Sequence, residues 1–151
     1  MQTAGGDVYS KVIPFEKEGK DIELFLFDIG AQECYESIAL PLVHVERMQL
    51  KNPDLVMLTY DCTNEETFKG AVKWLDKIKK NNSGKTYPGV LIATKCEHKN
   101  AKEVTTEEGR EIAKKLGLEF FEVSASLKEN IEQPFQYLAQ KALTLSSYSI
   151  S

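Results

Sequence analysis

One group of polar residues in the early part of the chain has the types and spacing needed for phosphate chemistry. In the segment Asp28-Ile-Gly-Ala-Gln-Glu33 an acid precedes a glycine turn. Such an arrangement can hold a hydrated magnesium ion and present backbone N–H groups to a phosphate. Gln32, just beyond the turn, has a side chain that can orient an attacking water.

Two later groups have the types that suit a flat heterocyclic base. In Thr94-Lys-Cys-Glu97 the lysine stem can lie along an aromatic ring. The carboxylate can accept two N–H donors, and the edge of guanine offers two. Ser124-Ala-Ser126 is a run of small residues at which a base can approach the backbone. Each group alone is weak evidence, since an acid–glycine pair is usually only a turn, so their placement in the fold decides the interpretation.

Apolar periodicity places each group directly after a predicted strand. The predicted strands are Val8–Phe15, Ile22–Phe27, Leu55–Tyr60, Gly89–Ala93 and Leu118–Val123. The first two flank a polar turn that contains a glycine, which predicts an antiparallel hairpin. The third and fourth are apolar on nearly every residue, which is typical of strands covered on both faces.

Three amphipathic helices are predicted to follow the last three strands. Thr63-Asn-Glu-Glu66 and Thr105-x-x-Glu108 match capping boxes that begin the first two helices, and Gly117 is a stop signal. The third helix is predicted to end at Leu145, before a flexible tail at residues 146–151. Alternating strands and helices predict a parallel sheet with helices on its faces, where ligands bind at the carboxyl ends of the strands.

Composition bounds the class of protein. The 151 residues fit one domain, and 42% apolar with 28% charged residues exclude a disordered or collagenous chain. No apolar run approaches the roughly 18 residues that span a bilayer, and no signal peptide is visible. A net charge of −4 argues against a nucleic-acid partner. Cys34, Cys62 and Cys96 form no disulfide or metal pattern, which favours a reducing cytoplasmic compartment.

The motifs resemble those of Ras-like small GTPases of the Rab type. Phe27-Asp-Ile-Gly-Ala-Gln-Glu33 is similar to the switch II motif Trp-Asp-Thr-Ala-Gly-Gln-Glu, and Thr94-Lys-Cys-Glu97 is similar to the guanine motif Asn-Lys-x-Asp. Glu122-Val-Ser-Ala-Ser126 resembles Glu-Thr-Ser-Ala-Lys, and Tyr60-Asp-Cys-Thr63 resembles the Rab segment Tyr-Asp-(Val/Ile)-Thr. Thr3-Ala-Gly-Gly-Asp7 is similar to the end of switch I. The resemblance extends over essentially the whole chain.

This resemblance implies an α/β fold of the small-GTPase, P-loop NTPase-like type over residues 1–145, with a mostly parallel sheet and helices on both faces. For the intact protein, it implies binding of GTP or GDP with Mg²⁺ and slow GTP hydrolysis. At matching positions, Thr3 and Asp28 are the implied metal ligands and Gln32 the implied catalytic residue. The implied nucleotide-binding residues are Ala31, whose N–H would contact the third phosphate, and Thr94, Lys95, Glu97, Ser124, Ala125 and Ser126.

A narrower resemblance is to the Rab-like family of intraflagellar transport protein 27 (Rab-like protein 4). The segments that support it are Glu23-Leu-Phe-Leu-Phe-Asp28, Pro88-Gly-Val-Leu91 and Gly117-Leu-Glu-Phe-Phe-Glu122. It implies a subunit of the intraflagellar transport B complex in cilia or flagella, with intraflagellar transport protein 25 and other complex B subunits as partners. Ser149-Ile-Ser151 has no cysteine, so no lipid anchor is expected. The alternatives are a non-catalytic docking subunit with a degenerate nucleotide site and a Rab GTPase of vesicle traffic.

The sequence also departs from the family. It contains no Gly-x-x-x-x-Gly-Lys-(Ser/Thr), and the family's first strand, phosphate loop and first helix would precede Thr3. We therefore expect a fragment or truncated gene product that does not bind GTP usefully, whereas the intact protein should bind guanine nucleotides more weakly than a typical Rab. The alternative is a genuine relative that lacks the phosphate loop. Gly30-Ala31 reverses the family's Ala-Gly, Glu97 replaces Asp, and Pro41–Arg47 is an expected insertion in switch II or a misannotated intron.

Overall fold

The structure is a computed structural model that describes residues 6–29, 53–81, 83–84 and 86–148. The chain forms two compact units, Met1–Pro53 and Asp54–Ser151. The sequence predicts a single domain over residues 1–145, and that boundary stays a prediction. None of the helices in the described part of the chain combines the length and apolar character needed to span a bilayer.

The first unit contains an antiparallel β-hairpin, which confirms the predicted one. Its strands are β1, Gly6–Phe15, and β2, Lys20–Ile29, paired from Phe15 with Lys20 to Gly6 with Ile29. The turn is a short 3-10 helix, Glu16–Glu18, closed by Gly19 at φ +59°. A left-handed residue is needed there, and glycine adopts that conformation without a steric cost. Both strands extend further than the apolar pattern predicts.

One face of this hairpin is apolar and open. Period-two alternation and the observed register place Val8, Val12, Phe25 and Phe27 on the same face, and each is at least 50% exposed. Ile13, on the opposite face, is the one buried side chain among the hairpin residues that the structure describes. The hairpin therefore buries little apolar surface within its own described residues.

The second unit is a three-stranded parallel sheet with helices packed on it. Its strands are β3, Val56–Asp61, β4, Gly89–Thr94, and β5, Glu119–Glu122, in the order β3-β4-β5. Its helices are α1, Glu65–Asn81, α2, Thr106–Leu116, and α3, Glu132–Tyr148. Helix α1 contacts β3, α2 contacts β4 and β5, and α3 contacts β4. The predicted alternation of parallel strands and helices is thus confirmed.

The core of this unit is centred on β4. Val90 and Leu91 are 0% exposed, and Ile92 and Ala93 are buried as well, so this strand is covered on both faces as predicted. The same prediction is wrong for β3. Val56, Leu58 and Tyr60 are buried, whereas Thr59 on the other face is exposed. An apolar run alone does not separate a strand covered on both faces from one covered on a single face.

Of the two predicted capping boxes, the structure contains one and lacks the other. At α2 the Glu108 N–H donates to Thr105 Oγ1 at 3.2 Å and Thr105 N–H donates to Glu108 Oε2 at 2.8 Å, which confirms that box. At α1 the prediction is wrong, because the Thr63 hydroxyl donates to Asp61 Oδ1 at 2.6 Å. Asn64 Oδ1 instead accepts the N–H of Glu66 at 3.0 Å. The last helix continues to Tyr148, past the predicted start of the tail at Ser146.

Candidate functional site

The carboxyl ends of the three parallel strands meet at one edge of the sheet. Asp61 is level with Thr94 across β3 and β4, and Ala93 is level with Glu122 across β4 and β5. The loop after β4 is tied to the end of β5, since Cys96 N–H donates to the carbonyl of Val123 at 3.2 Å. This edge brings the predicted guanine-motif residues together with the predicted small-residue loop.

Glu97 and Ser126 make the direct contact between these two loops. Ser126 Oγ donates to Glu97 Oε1 at 2.6 Å, and the Glu97 side chain is 16% exposed. Glu97 Oε2 is shielded from solvent and has no hydrogen-bond partner among the described residues. The hydroxyls of Ser124 and Ser126 lower the pKa of the Glu97 carboxyl to about 2. The group is therefore an ionised acceptor at neutral pH, as recognition of N–H donors on a base requires.

The small-residue loop is held rigidly by its own backbone. Ser124 N–H donates to the carbonyl of Glu129 at 3.1 Å, and Glu129 N–H donates back to the carbonyl of Ser124 at 2.9 Å. Ser124 is buried, and its hydroxyl accepts the N–H of Leu127 at 3.1 Å. Ala125 at the tip is exposed. The loop therefore offers a fixed, narrow edge of backbone to a ligand.

Lys95 is positioned by an acid that the sequence reasoning missed. Its Nζ lies 2.6 Å from Asp61 Oδ2, and its backbone has φ +60°, a conformation that non-glycine residues rarely adopt. Asp61 Oδ1 accepts both the N–H and the hydroxyl of Thr63, at 2.9 and 2.6 Å. Burial raises the pKa of Asp61, but the hydrogen bonds from Lys95 and Thr63 outweigh it and lower the pKa overall. The strand-end rule would have found Asp61, because it is the last residue of β3.

Thr94 has a structural contact within the sheet. Its hydroxyl donates to the carbonyl of Tyr60 at 2.8 Å and so links the ends of β4 and β3. This contact occupies the hydroxyl at a position where the family motif has Asn. Thr94 therefore stabilises the start of the guanine-motif loop, and its predicted contact with the nucleotide stays a prediction.

A second pair, also missed by sequence reasoning, joins α2 and its preceding segment to β5. Lys102 Nζ lies 2.7 Å from Glu122 Oε1, which also accepts the Thr106 hydroxyl at 2.6 Å. Burial raises the pKa of Glu122, and the two hydrogen bonds more than offset that effect, so the pKa is lowered. A cleft of about 270 Å³ beside this pair is lined in part by Cys96 and Asn130.

The fold brings two of the cysteines close together. Cys62 and Cys96 follow β3 and β4, and their thiols are near enough to affect each other's ionisation. Burial raises the pKa of both and brings that of Cys96 to about 12. Both are therefore protonated thiols at neutral pH, a form that is a poor nucleophile and metal ligand. In the part of the chain that the structure describes, no three His, Cys, Asp or Glu side chains cluster as a metal site.

Of the remaining predicted site residues, Asp28 is the one that the structure describes. Asp28 is an exposed residue of β2 in the first unit, opposite Asp7 in the hairpin register. Two carboxylates at facing positions supply the hard oxygen donors that Mg²⁺ prefers, so the residue types fit that ion. Thr3, Ala31 and Gln32, like Pro41–Arg47, lie outside the described residues.

Comparison with known proteins agrees with this arrangement of motifs. The model of the Ras family matches residues 1–144. The intraflagellar transport protein 27 homolog of Mus musculus is 34% identical over 139 residues, which are 92% of this chain and 71% of that protein. The homolog of Trypanosoma brucei brucei is 27% identical over 93% of this chain and 71% of that protein. The Ras-related protein RABD1 of Arabidopsis thaliana is 31% identical over 92% of this chain and 63% of that protein.

The family match covers nearly the whole chain, and the similarity to the mouse protein extends over more than two thirds of both sequences. The mixed α/β architecture, with its parallel strands and three helices, agrees with the fold predicted from the motifs. The chain therefore belongs to the Ras family, with a small-GTPase type of fold.

Proposed function

We propose that the chain is a Rab-like guanine nucleotide-binding protein and a subunit of the intraflagellar transport B complex of cilia or flagella. Membership of the Ras family supports the first part of the proposal. The second part is supported by the similarity to intraflagellar transport protein 27 homologues from mammals and a trypanosome.

The observation that carries the nucleotide proposal is the convergence of three features at one sheet edge. An ionised carboxylate on Glu97 can accept N–H donors, and the exposed stem of Lys95 can lie against a ring. The rigid loop at Ser124–Ser126 can border the base at its backbone. Together these groups suit the edge and face of guanine better than those of adenine, because guanine presents two adjacent N–H donors to a carboxylate.

The other predicted site residues are proposed to bind the phosphates, the metal ion and the attacking water. Thr3 and Asp28 are the proposed ligands of Mg²⁺, and the N–H of Ala31 is a proposed contact to the third phosphate. Gln32 is proposed to orient the attacking water during slow hydrolysis. A bound magnesium ion would neutralise phosphate charge. Because the sequence contains no phosphate-loop motif, this chain lacks a set of charged-group hydrogen bonds to the phosphates, and we expect it to bind nucleotide only weakly.

The proposed partners are proteins, namely intraflagellar transport protein 25 and other complex B subunits. A subunit of this kind is proposed to act in the cytoplasm and the cilium. The open apolar face of the hairpin includes Phe25 and Phe27 and is a surface that a protein partner can cover. It therefore supports the proposal that the chain is held by protein partners.

A non-catalytic docking subunit with a degenerate nucleotide site is the second candidate. The observation that favours it is that both charged groups of the guanine motif already have protein partners. Lys95 pairs with Asp61 at 2.6 Å, and Glu97 accepts the Ser126 hydroxyl at the same distance. In this alternative the motif has become a structural feature of the sheet edge.

Thermal unfolding with added nucleotide separates the two candidates. A ligand that binds the native state at ten times its dissociation constant stabilises it by about 1.4 kcal/mol. We expect GDP with magnesium at millimolar concentration to raise the melting temperature more than ADP does. Glu97→Ala should abolish that difference. Glu119→Ala, a change at an exposed glutamate in β5, should preserve it. Equal shifts with GDP and ADP would leave the docking subunit as the better account.

A further inference from the structure

We infer that Ser126 competes with the guanine base for the Glu97 carboxylate, so that this serine sets the affinity and base selectivity of the site. The contact between these two side chains is called here the Glu97–Ser126 clasp. The inference rests on the proposed function, because it concerns regulation of the same site.

The geometry of the clasp leaves neither carboxylate oxygen ready for a base. Oε1 accepts the Ser126 hydroxyl at 2.6 Å, and His98 Nε2 lies 3.6 Å from the same atom. Oε2 is shielded from solvent by the protein. A base that approaches from solvent therefore meets an occupied oxygen first. Binding requires that the Ser126 contact break and the carboxylate turn outward.

Two departures from the family motifs act together to build the clasp. Glu97 stands where the motif has Asp, and the additional methylene extends the reach of its carboxylate. Ser126 stands where the motif has Lys, and it places a short neutral hydroxyl within that reach. The two residues are 29 positions apart in sequence and are brought together by the parallel pairing of β4 and β5.

The clasp is selective because Glu97 is ionised. With a pKa of about 2, the carboxylate is an acceptor only, so the Ser126 hydroxyl is the donor. A base that opens the clasp has to replace this hydrogen bond with N–H donors of its own. Guanine presents two such donors, whereas the corresponding edge of adenine presents an acceptor beside its single amino group. The clasp therefore penalises adenine more than guanine.

The test is a titration of the full chain, followed by nuclear magnetic resonance. The probes are guanosine and adenosine 5′-monophosphates at millimolar concentration, in the presence of EDTA. Removing a hydrogen bond to a charged group that must break on binding should tighten guanosine monophosphate by about tenfold or more in Ser126→Ala. Ser10→Ala, at an exposed serine of the hairpin, should leave the dissociation constant unchanged. Glu97→Asp should also tighten binding, and Ser126→Ala should add little in that background.

A second readout detects the clasp without any nucleotide. The carboxyl resonance of Glu97 should titrate near pH 2 in the unmodified chain and move toward the ordinary value of 4.5 in Ser126→Ala. An unchanged pKa, or equal or weaker binding of guanosine monophosphate by Ser126→Ala, would overturn the inference. If the unmodified chain still prefers guanine in that case, the proposed function stands. Absence of a guanine preference in every variant would overturn both.

Discussion

The hairpin and the parallel sheet begin from similar apolar strands and reach different degrees of burial. Val90 and Leu91 in β4 are 0% exposed, whereas Phe25 in β2 is 62% exposed. The difference follows from the connections. Parallel strands need a crossover, and here each crossover contributes a helix that covers the sheet. A hairpin closes with a tight turn and brings no such cover, and an isolated two-stranded hairpin is at best marginally stable in water.

The same contrast applies to the functional residues. The guanine-motif residues lie on loops that leave the well-packed parallel sheet, so the fold fixes their backbone. Asp28, the one proposed metal ligand that the structure describes, lies on the hairpin, where the described residues bury little. We therefore expect the backbone of the two base-binding loops to be preformed, although the Glu97 side chain has to leave Ser126 before it can bind a base. We also expect substitutions in the two regions to have very different costs.

The largest expected effect is a cavity in the parallel sheet. Leu91→Ala should lower the free energy of unfolding by about 2–5 kcal/mol, because this side chain is fully buried at the centre of β4. Phe25→Ala in the hairpin should change it by less than about 0.5 kcal/mol, since the ring is mostly exposed. Urea unfolding followed by the fluorescence of Trp74 measures both. Similar costs for the two variants would remove the distinction between the regions.

Substitutions at two glycines of the parallel unit should change its stability in opposite directions. A Cβ atom at Gly89 would overlap the carbonyl oxygen of Val56, so Gly89→Ala should force β3 and β4 apart at a cost of about 1–3 kcal/mol. A Cβ at Gly70 in α1 would meet no atom within 4 Å. Gly70→Ala should therefore stabilise the chain by roughly 0.5–1 kcal/mol. Circular dichroism melts of the two variants should shift in opposite directions, and a shift of the same sign would contradict the strand pairing.

A smaller effect is expected at the pair that fastens α2 to β5. Lys102→Met should destabilise the unit by about 1–2 kcal/mol at pH 7, because it leaves the partly buried Glu122 carboxylate without its cation. The pKa of Glu122 is lowered in the folded chain, so its contribution is full above pH 4.5 and is lost as the pH falls through the folded pKa. Unfolding measured at pH 7 and pH 3 should therefore show a smaller pH dependence in the variant. An unchanged dependence would mean that the pair does not form.

The smallest effect is expected at a helix end. Thr105→Ala removes the side chain that caps α2 and should cost about 1 kcal/mol. Thr144→Ala is a suitable control, since that hydroxyl donates to the carbonyl of Gln140 inside α3 and caps nothing. Thermal melts should separate the two variants by several degrees. Equal melting temperatures would show that the capping box contributes no stability in solution.

Local features of the sequence predicted much of the fold. The capping box at Thr105–Glu108 was predictable because all of its atoms lie within four residues. The similar pattern at Thr63 failed because Asp61, two residues earlier, attracts the same hydroxyl. Coverage of β3 could not be read from its apolar residues, because it depends on what packs against each face.

In the candidate site, the placement of residues was predictable from the sequence, whereas their side-chain contacts were not. Placement of Glu97 and Ser126 at one sheet edge followed from the strand-end rule, and the structure confirms it. The contacts of Lys95 with Asp61 and of Glu97 with Ser126 were not predictable. They depend on side-chain conformations and on the register between segments far apart in sequence, and local pattern carries no information about either.

The most direct test of the account is to map where a guanine nucleotide contacts the isotopically labelled chain. In EDTA, millimolar guanosine 5′-monophosphate should shift the amide resonances of Lys95–Glu97 and Ser124–Leu127, and adenosine 5′-monophosphate should shift them much less. The hairpin amides at residues 6–29 should be unaffected, because their proposed ligand is the metal ion. Equal shifts with the two nucleotides, or shifts located in the hairpin and absent from the two loops, would contradict the proposal that this sheet edge recognises guanine.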